Sequence, residues 1–310
     1  MWYKEKPIIA LAPMADFTDL PFCRVCREVS GEEFVIFREM VSAEAIVRGS
    51  KKTLRMCEFS EEERPIVLQL FGGDPEIIRE AAEIIVKKFK PDGIDINMGC
   101  PVPKITKKGQ AGASLMKDQD RAVEIVKALK SANLGVPVSV KTRLGWTNDD
   151  DILEFAPKLE KAGADLITIH GRTKKQGYSG QANWDRIAEV KKLVSVPVIA
   201  NGDIRSQEDI DKCIDITRSD GVMIGRGALG KPWVFEVKSQ KSKVKSDEIV
   251  RVVLRHAQLH IEHYGDGHGL KTFRKHLLFY FKGFPGVKGL RQELVKVETM
   301  ADLKKILNNL

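Results

Sequence analysis

Eight short apolar runs rich in β-branched residues recur along the first three quarters of the chain: Ile8 to Ala12, Phe34 to Phe37, Pro65 to Leu70, Gly93 to Asn97, Val138 to Thr142, Leu166 to His170, Val198 to Asn201 and Gly221 to Gly225. Amphipathic stretches with apolar residues near helical spacing lie between them, among them Pro75 to Phe89, Asp120 to Ser131, Asp150 to Ala162, Trp184 to Leu193 and Gln207 to Ile216. Such alternation requires parallel strands joined by crossover helices. Eight units within about 230 residues match an α/β (β/α)8 TIM barrel. An open doubly wound sheet is the competing architecture, but it gives no reason for polar residues to end nearly every run.

After the eighth run the pattern changes. Lys238 to Lys245 is polar and basic and reads as a linker. Beyond it the strand signals vanish, and Asp247 to Tyr264, Leu270 to Phe281, Gly289 to Val297 and Ala301 to Leu310 read as helices. The expected division is a catalytic barrel over 1–237 and a small all-helical C-terminal domain over 238–310. Charge follows the same division. Residues 1–230 hold 35 Lys and Arg against 35 Asp and Glu, while residues 231–310 hold 16 against 8, so the whole formal +8 sits in the last quarter. A neutral body with a basic helical end points to a polyanionic partner, RNA or DNA first. A basic surface that is merely solvated is the plainer alternative.

No apolar run approaches the eighteen or so residues of a membrane span, and Ile8 to Pro13 is too short for a signal-peptide core. A cytoplasmic protein without membrane attachment is expected. The five cysteines, an odd number thinly spread, argue for thiols rather than a disulfide framework. Cys23-Arg24-Val25-Cys26 lacks a second ligand pair. His256, His260 and His263 fall on one helix face without the glutamate of a zincin motif. No metal is expected, and a packed or RNA-facing surface is the favoured reading of the histidines.

In a (β/α)8 barrel the site is built where the strands end. The runs here end in or pass through Ala12-Pro13-Met14, Gln69, Asn97-Met98-Gly99-Cys100-Pro101, Lys141 with Arg143, His170, Asn201-Gly202-Asp203 and Gly225-Arg226-Gly227. The last two groups suit a phosphate held on loop amides, with Arg226 as a charged fork. Residues 225–230 also match G-x-G-x-x-G, but the basic linker follows instead of a βαβ unit, which excludes a dinucleotide fold. Lys141 and His170 could face a flavin ring, and a Schiff-base lysine or a salt-bridged one are the alternatives. Cys100 is either a nucleophile, which needs a depressed pKa, or a proton donor, which does not.

These residues resemble the tRNA-dihydrouridine synthases. The resemblance is carried by Ala12-Pro13-Met14, Asn97 to Pro101, Lys141-Thr142-Arg143, His170-Gly171-Arg172-Thr173 followed by Gln176, Tyr178, Gly180, Ala182 and Trp184, then Asn201-Gly202-Asp203 and Gly225-Arg226, with Phe273 to Arg291 similar to the family's helical tRNA-binding domain. It implies FMN contacted by Ala12, Pro13, Met14, Gln69, Lys141, His170, Asn201, Gly202, Asp203, Gly225 and Arg226. It further implies Cys100 as general acid, Asn97 and Arg143 on the uracil edge, NADPH as reductant and tRNA as partner, in a monomeric enzyme. The target base is stacked in folded tRNA and must be turned out to react. Lys104, Lys107 and Lys108 would extend the grip on RNA beside Cys100. A flavin reductase of free pyrimidines shares the barrel chemistry without explaining the basic end, and an RNA-binding scaffold would leave Cys100, Lys141 and His170 without a use.

Overall fold

The computed structural model describes residues 1–106, 110–236, 246–282 and 287–308. Lys107, Lys108 and the expected linker Lys238 to Lys245 lie outside the described residues. Nine strands form one parallel sheet: β1 (Ile8–Leu11), β2 (Val35–Phe37), β3 (Val41–Ser42), β4 (Ile66–Phe71), β5 (Gly93–Met98), β6 (Val138–Arg143), β7 (Leu166–His170), β8 (Val198–Asn201) and β9 (Gly221–Ile224). β1 pairs with both β2 and β9, and β2 pairs with β4, so eight strands close into a barrel. All eight expected runs are present. The ninth strand arises because the second run is interrupted: β3 resumes the pairing with β4 at Val41 opposite Leu70, after Arg38, Glu39 and Met40. Arg38 N–H still donates to Val67 O of β4 at 3.0 Å, and its side chain forms a fully buried ion pair with Glu63 at 2.7 Å.

Period-two alternation sorts the strand residues into two apolar sets. Ile9, Leu11, Ile36, Ile66, Leu68, Ile94, Ile96, Val138, Val140, Ile167 and Ile169 join the large cluster that also contains the helix residues, so they face outward onto the helical ring. Ile8, Ala10, Ala12, Val35, Phe37, Val67, Leu166, Ile199 and Met223 form a separate cluster, the barrel interior, against which Trp2 and Tyr3 pack. The interior grades along the strands from apolar, through Gln69, Asp95, Ser139 and Thr168, to Asn97, Lys141, Arg143, His170 and Asn201 at the carboxyl ends. The barrel therefore has an oily floor and a polar top.

The ring helices are α1 (Leu20–Ser30), α2 (Ala43–Val47), α3 (Lys51–Met56), α4 (Pro75–Phe89), α5 (Pro103–Thr106), α6 (Gln119–Ser131), α7 (Asp151–Ala162), α8 (Trp184–Leu193) and α9 (Gln207–Thr217). Most of their starts, though not those of α5 and α7, follow side-chain caps that satisfy free backbone N–H groups. Asp19 accepts from Phe22 N ahead of α1, Asp74 from Ile77 N ahead of α4, and Asn183 from Arg186 N ahead of α8.

Four more helices follow: α10 (Ser246–Tyr264), α11 (Asp266–Tyr280), α12 (Val287–Leu294) and α13 (Met300–Leu307). α10 and α11 pack on each other, and α10 packs on α1. The junction is aromatic. His276 stacks on Phe22 at 5.1 Å between centroids, and His256 lies 4.6 Å from His276 and 4.9 Å from His260. The histidine face expected from the sequence thus takes His276 from α11 in place of His263. Polar ties flank it: Arg255 forks onto Glu28 at 2.7 and 2.8 Å, and the Tyr264 hydroxyl donates to Asp19 at 3.1 Å. Among the described residues no helix is long and apolar enough to cross a membrane.

Candidate active site

The polar top opens into a cavity of about 460 Å³. Its wall includes Ala12, Pro13 and Met14 after β1, Asn97 and Cys100 after β5, Lys141 and Arg143 on β6, His170, then Asn201, Gly202 and Asp203, and finally Gly225 and Arg226. Twelve of the thirteen remaining expected site residues besides Cys100 are therefore brought to one surface. Gln69 is the exception. Its side chain is fully buried one layer below, where Nε2 donates to Asp95 (2.6 Å) and Oε1 accepts from Asn97 (2.8 Å) of the wall.

Charge is the dominant property of this cavity. Lys141, Arg143, Arg205 and Arg226 line it, and Asp203 is its one carboxylate among the described lining residues. Asp203 is itself claimed by Arg172, whose Nη2 donates to both carboxylate oxygens at 2.7 and 2.9 Å. Burial works to raise the Asp203 pKa, but Arg172 and the Ala182 N–H together bring it below the ordinary value. Burial, with Arg143 close by, lowers Lys141 to about 8. Burial and the four cations Lys141, Arg143, Arg172 and Arg226 push His170 far down, so its ring is neutral. Arg143 Nη1 stands 3.5 Å from His170 Nδ1, and its two N–H groups donate to Thr173 O at 3.2 Å and Gly177 O at 2.8 Å.

Hydrogen bonds aim these groups. Lys141 Nζ donates to Asn201 Oδ1 at 3.0 Å, and Asn201 Nδ2 donates to Met223 O at 2.7 Å, which fixes the amide. Arg143 Nε donates to Gly99 O at 2.8 Å and Nη1 to Gly177 O at 2.8 Å, bracing the loops on either side of the cavity. Gly227 lets the last two loops meet, since a Cβ there would stand 2.3 Å from Ile204 O.

Cys100 is half-buried on the wall. Burial pushes its thiol pKa above the ordinary value, against smaller opposing effects of the Val102 N–H, Arg143 and Lys141. The thiol is therefore protonated at neutral pH, the form that can give a proton rather than attack. The loop is held from below by Gly112, at φ 60° and so close that a Cβ would lie 2.9 Å from Cys100 O.

Phe279 is not read from the sequence as a site residue, and Arg172 enters only as part of the family motif. Phe279, from α11, lines the cavity and meets Phe17 edge-on at 5.7 Å, so the helical end of the chain reaches the site itself. Arg172 stands behind the wall, and its Nη1 is buried without a partner. Tyr178, 58% exposed, offers a ring at the rim under the Arg226 guanidinium, 4.2 Å away.

A closed barrel with a cationic cavity at the carboxyl ends of its strands is the architecture of a TIM-barrel enzyme. The chain belongs to the dihydrouridine synthase family: the family model described as Dihydrouridine synthase (Dus) matches residues 10–310. It is 41% identical over 306 residues to "Probable tRNA-dihydrouridine synthase 1" of Synechocystis, covering 96% of this chain and 84% of that one. It is 38% identical over 306 residues to "Probable tRNA-dihydrouridine synthase" of Aquifex aeolicus, covering 97% and 95%. With "tRNA-dihydrouridine synthase B" of Pseudomonas syringae it shares 38% over 300 residues, 94% and 87% of the two chains. Among solved structures, the old yellow enzyme homologue from Zymomonas mobilis has the same barrel fold at a TM-score of 0.54 and 11% identity, over 77% of this chain and 89% of that one.

Proposed function

We propose that this chain is a tRNA-dihydrouridine synthase that reduces the C5=C6 bond of uridines in tRNA, with FMN held in the cavity. The observation that carries the reading is the pairing of a protonated Cys100 with a cavity whose charge is almost wholly positive. The residues fit the cofactor. A flavin mononucleotide is an anion, and Arg226, the loop glycines Gly202, Gly225 and Gly227, and the unpartnered Nη1 of Arg172 beside Gly202 form a cradle for its phosphate. Lys141 and His170 would face the ring edge that gains electron density on reduction, with Lys141 as donor. Bound there and reduced by NADPH, FMN would supply the hydride that adds to uracil C6.

The chain's own residues do the rest. Asn97 keeps one N–H over the cavity, opposed only by the Met40 sulfur at 3.3 Å, a weak acceptor that a uracil carbonyl displaces. Arg143 adds positive charge where the uracil oxygen becomes electron-rich. Cys100 then gives its proton to C5, and the thiolate recovers a proton from solvent. The division of the chain into a catalytic barrel and a tRNA-gripping domain over 238–310 belongs to the same proposal. Phosphate contacts from the basic helices would offset the cost of turning the base out.

The test is to incubate purified protein, reconstituted with FMN, with unmodified tRNA and NADPH and to weigh the nucleosides. A gain of two hydrogens on uridine supports the reading. Reduction of free pyrimidines with none in tRNA would replace it with a small-molecule reductase.

A further inference from the structure

Beneath the cavity floor runs a line of hydrogen bonds that the proposed chemistry does not use. The Asp95 carboxylate, on β5, is fully buried between β4 and β6. It accepts from Gln69 Nε2 at 2.6 Å and from Ser139 Oγ at 2.6 Å. Gln69 Oε1 in turn accepts from Asn97 Nδ2 at 2.8 Å, and Asn97 Oδ1 accepts the backbone N–H groups of Cys100 (2.8 Å) and Gly99 (3.2 Å). The pairing register places Gln69 opposite Asp95 and Asp95 opposite Ser139, so three adjacent strands meet at this rung of the barrel.

Proton counting fixes the direction of every bond. An ionised carboxylate only accepts, so Gln69 must turn its NH2 toward Asp95 and its oxygen toward Asn97. Asn97 must then turn its NH2 toward Gln69 and its oxygen toward the two backbone donors. Read from the other end, Gly99 and Cys100 offer only N–H and demand the same orientation. Both ends agree, and the donors left over are the second N–H of Gln69 and the second N–H of Asn97, the latter facing Met40 Sδ.

We propose that Asp95 is a positioning residue: acting through Gln69, it locks the Asn97 amide in one orientation and with it the Cys100 loop. Asp95 is not on the cavity wall, so it reaches the Cys100 loop through the relay, while its charge favours the protonated form of Lys141. What it sets is the placement of the proton donor and of one substrate-facing N–H together. Its catalytic consequence rests on the synthase reading, whereas its effect on the Cys100 loop does not.

Three variants separate the relay from the charge. In Asp95→Asn the amide oxygen still accepts from Gln69 and the NH2 donates to Ser139 Oγ, so the order of donors survives while the charge is lost. Asp95→Leu removes the acceptor and frees the Gln69 amide to turn. Gln69→Met cuts the relay in the middle and leaves Asp95 bonded to Ser139, which keeps the test alive if Asp95→Leu does not fold.

The first readout is the rate at which iodoacetamide alkylates Cys100 in the folded protein; Cys23, Cys26, Cys57 and Cys213 are all at most 1% exposed and do not compete. The second is kcat and KM for tRNA. Asp95→Leu and Gln69→Met should be alkylated about tenfold faster as the loop is released. Their kcat should fall on the order of 10²-fold, with KM for tRNA within about twofold. Asp95→Asn should remain near wild type in both. Wild-type alkylation and turnover in Asp95→Leu or Gln69→Met would overturn the relay, as would an Asp95→Asn variant as impaired as Asp95→Leu. If wild-type protein reduces no tRNA, the synthase reading fails, and the alkylation rates still decide for or against the relay.

Discussion

Acid should loosen the junction between α10, α11 and α1. His256, His260 and His276 are fully buried there, and burial holds all three rings neutral, His260 at about 3 and the other two well below the ordinary value, with Lys275 and the neighbouring imidazoles adding to the effect. An unfolded histidine takes up its proton near pH 6.5, so the unfolded chain binds more protons than the folded one below that pH. Stability is therefore complete above pH 7 and falls as pH drops through 6.5 toward the folded values. Between pH 7 and 5 the loss is about 2 kcal/mol for each ring, set by the unfolded pKa as long as the folded one lies below 5. Two buried carboxyls act in the opposite sense. Glu39, raised by burial to about 7, and Asp95, raised by burial to about 6, take up protons over the same range in the folded state. A single pH series on wild type therefore mixes signs, and the informative quantity is a difference. His276→Phe keeps the ring stacked on Phe22 and removes one site of protonation. Urea unfolding at pH 7 and pH 5, followed by far-UV circular dichroism, should show the acid-induced loss smaller by about 2 kcal/mol in the variant. An equal loss in both proteins would refute the placing of a neutral, desolvated imidazole at that junction.

Cys100→Ala should keep the fold, flavin content and tRNA affinity and lose 10² to 10⁴ of the reduction rate, on the order expected for a general acid, measured by nucleoside mass analysis under single turnover. Because Lys141 is protonated only below about 8, kcat/KM should decline above that pH, and Lys141→Arg, which stays charged, should abolish the decline; an unchanged alkaline limb would place the titration elsewhere. At Gly230, with φ 73°, a Cβ would meet Phe279 C at 2.3 Å and O at 2.4 Å, so Gly230→Ala should lower stability by roughly 3 kcal/mol and weaken tRNA binding as α11 is pushed off the barrel, and a wild-type melt would exclude that close approach.

The barrel was legible because its signals are local. Alternating runs give strands, and the helices over Pro75 to Phe89 and Trp184 to Leu193 end where read because Asp74 with Pro75, and Asn183, announce their starts. β3 escaped because two residues carry no period, and its register comes from β4 rather than from its own sequence. The wall of the cavity was legible for a similar reason: strand ends converge in any closed barrel, so polarity at a run's end predicts position. What pairs with what was not. That Gln69 bonds Asp95 and Asn97, 26 and 28 positions away, is set by barrel register and amide orientation. Phe279 and His276 reach the barrel through tertiary docking of α11, which no spacing within α11 reveals.

The docking of α10 and α11 on α1 ties together segments far apart in the chain. His256 and His276, which cover Phe22, are made more than two hundred positions after it. At about 5–20 residues per second, the outer face of α1 waits on the order of ten seconds or more for its cover. A nascent barrel can close its strands in that interval, yet it presents an uncovered aromatic face to any chaperone or neighbouring chain. A stalled or truncated product would be a closed barrel that adheres through α1, and the last helices would serve in the cell as the step that ends this exposure.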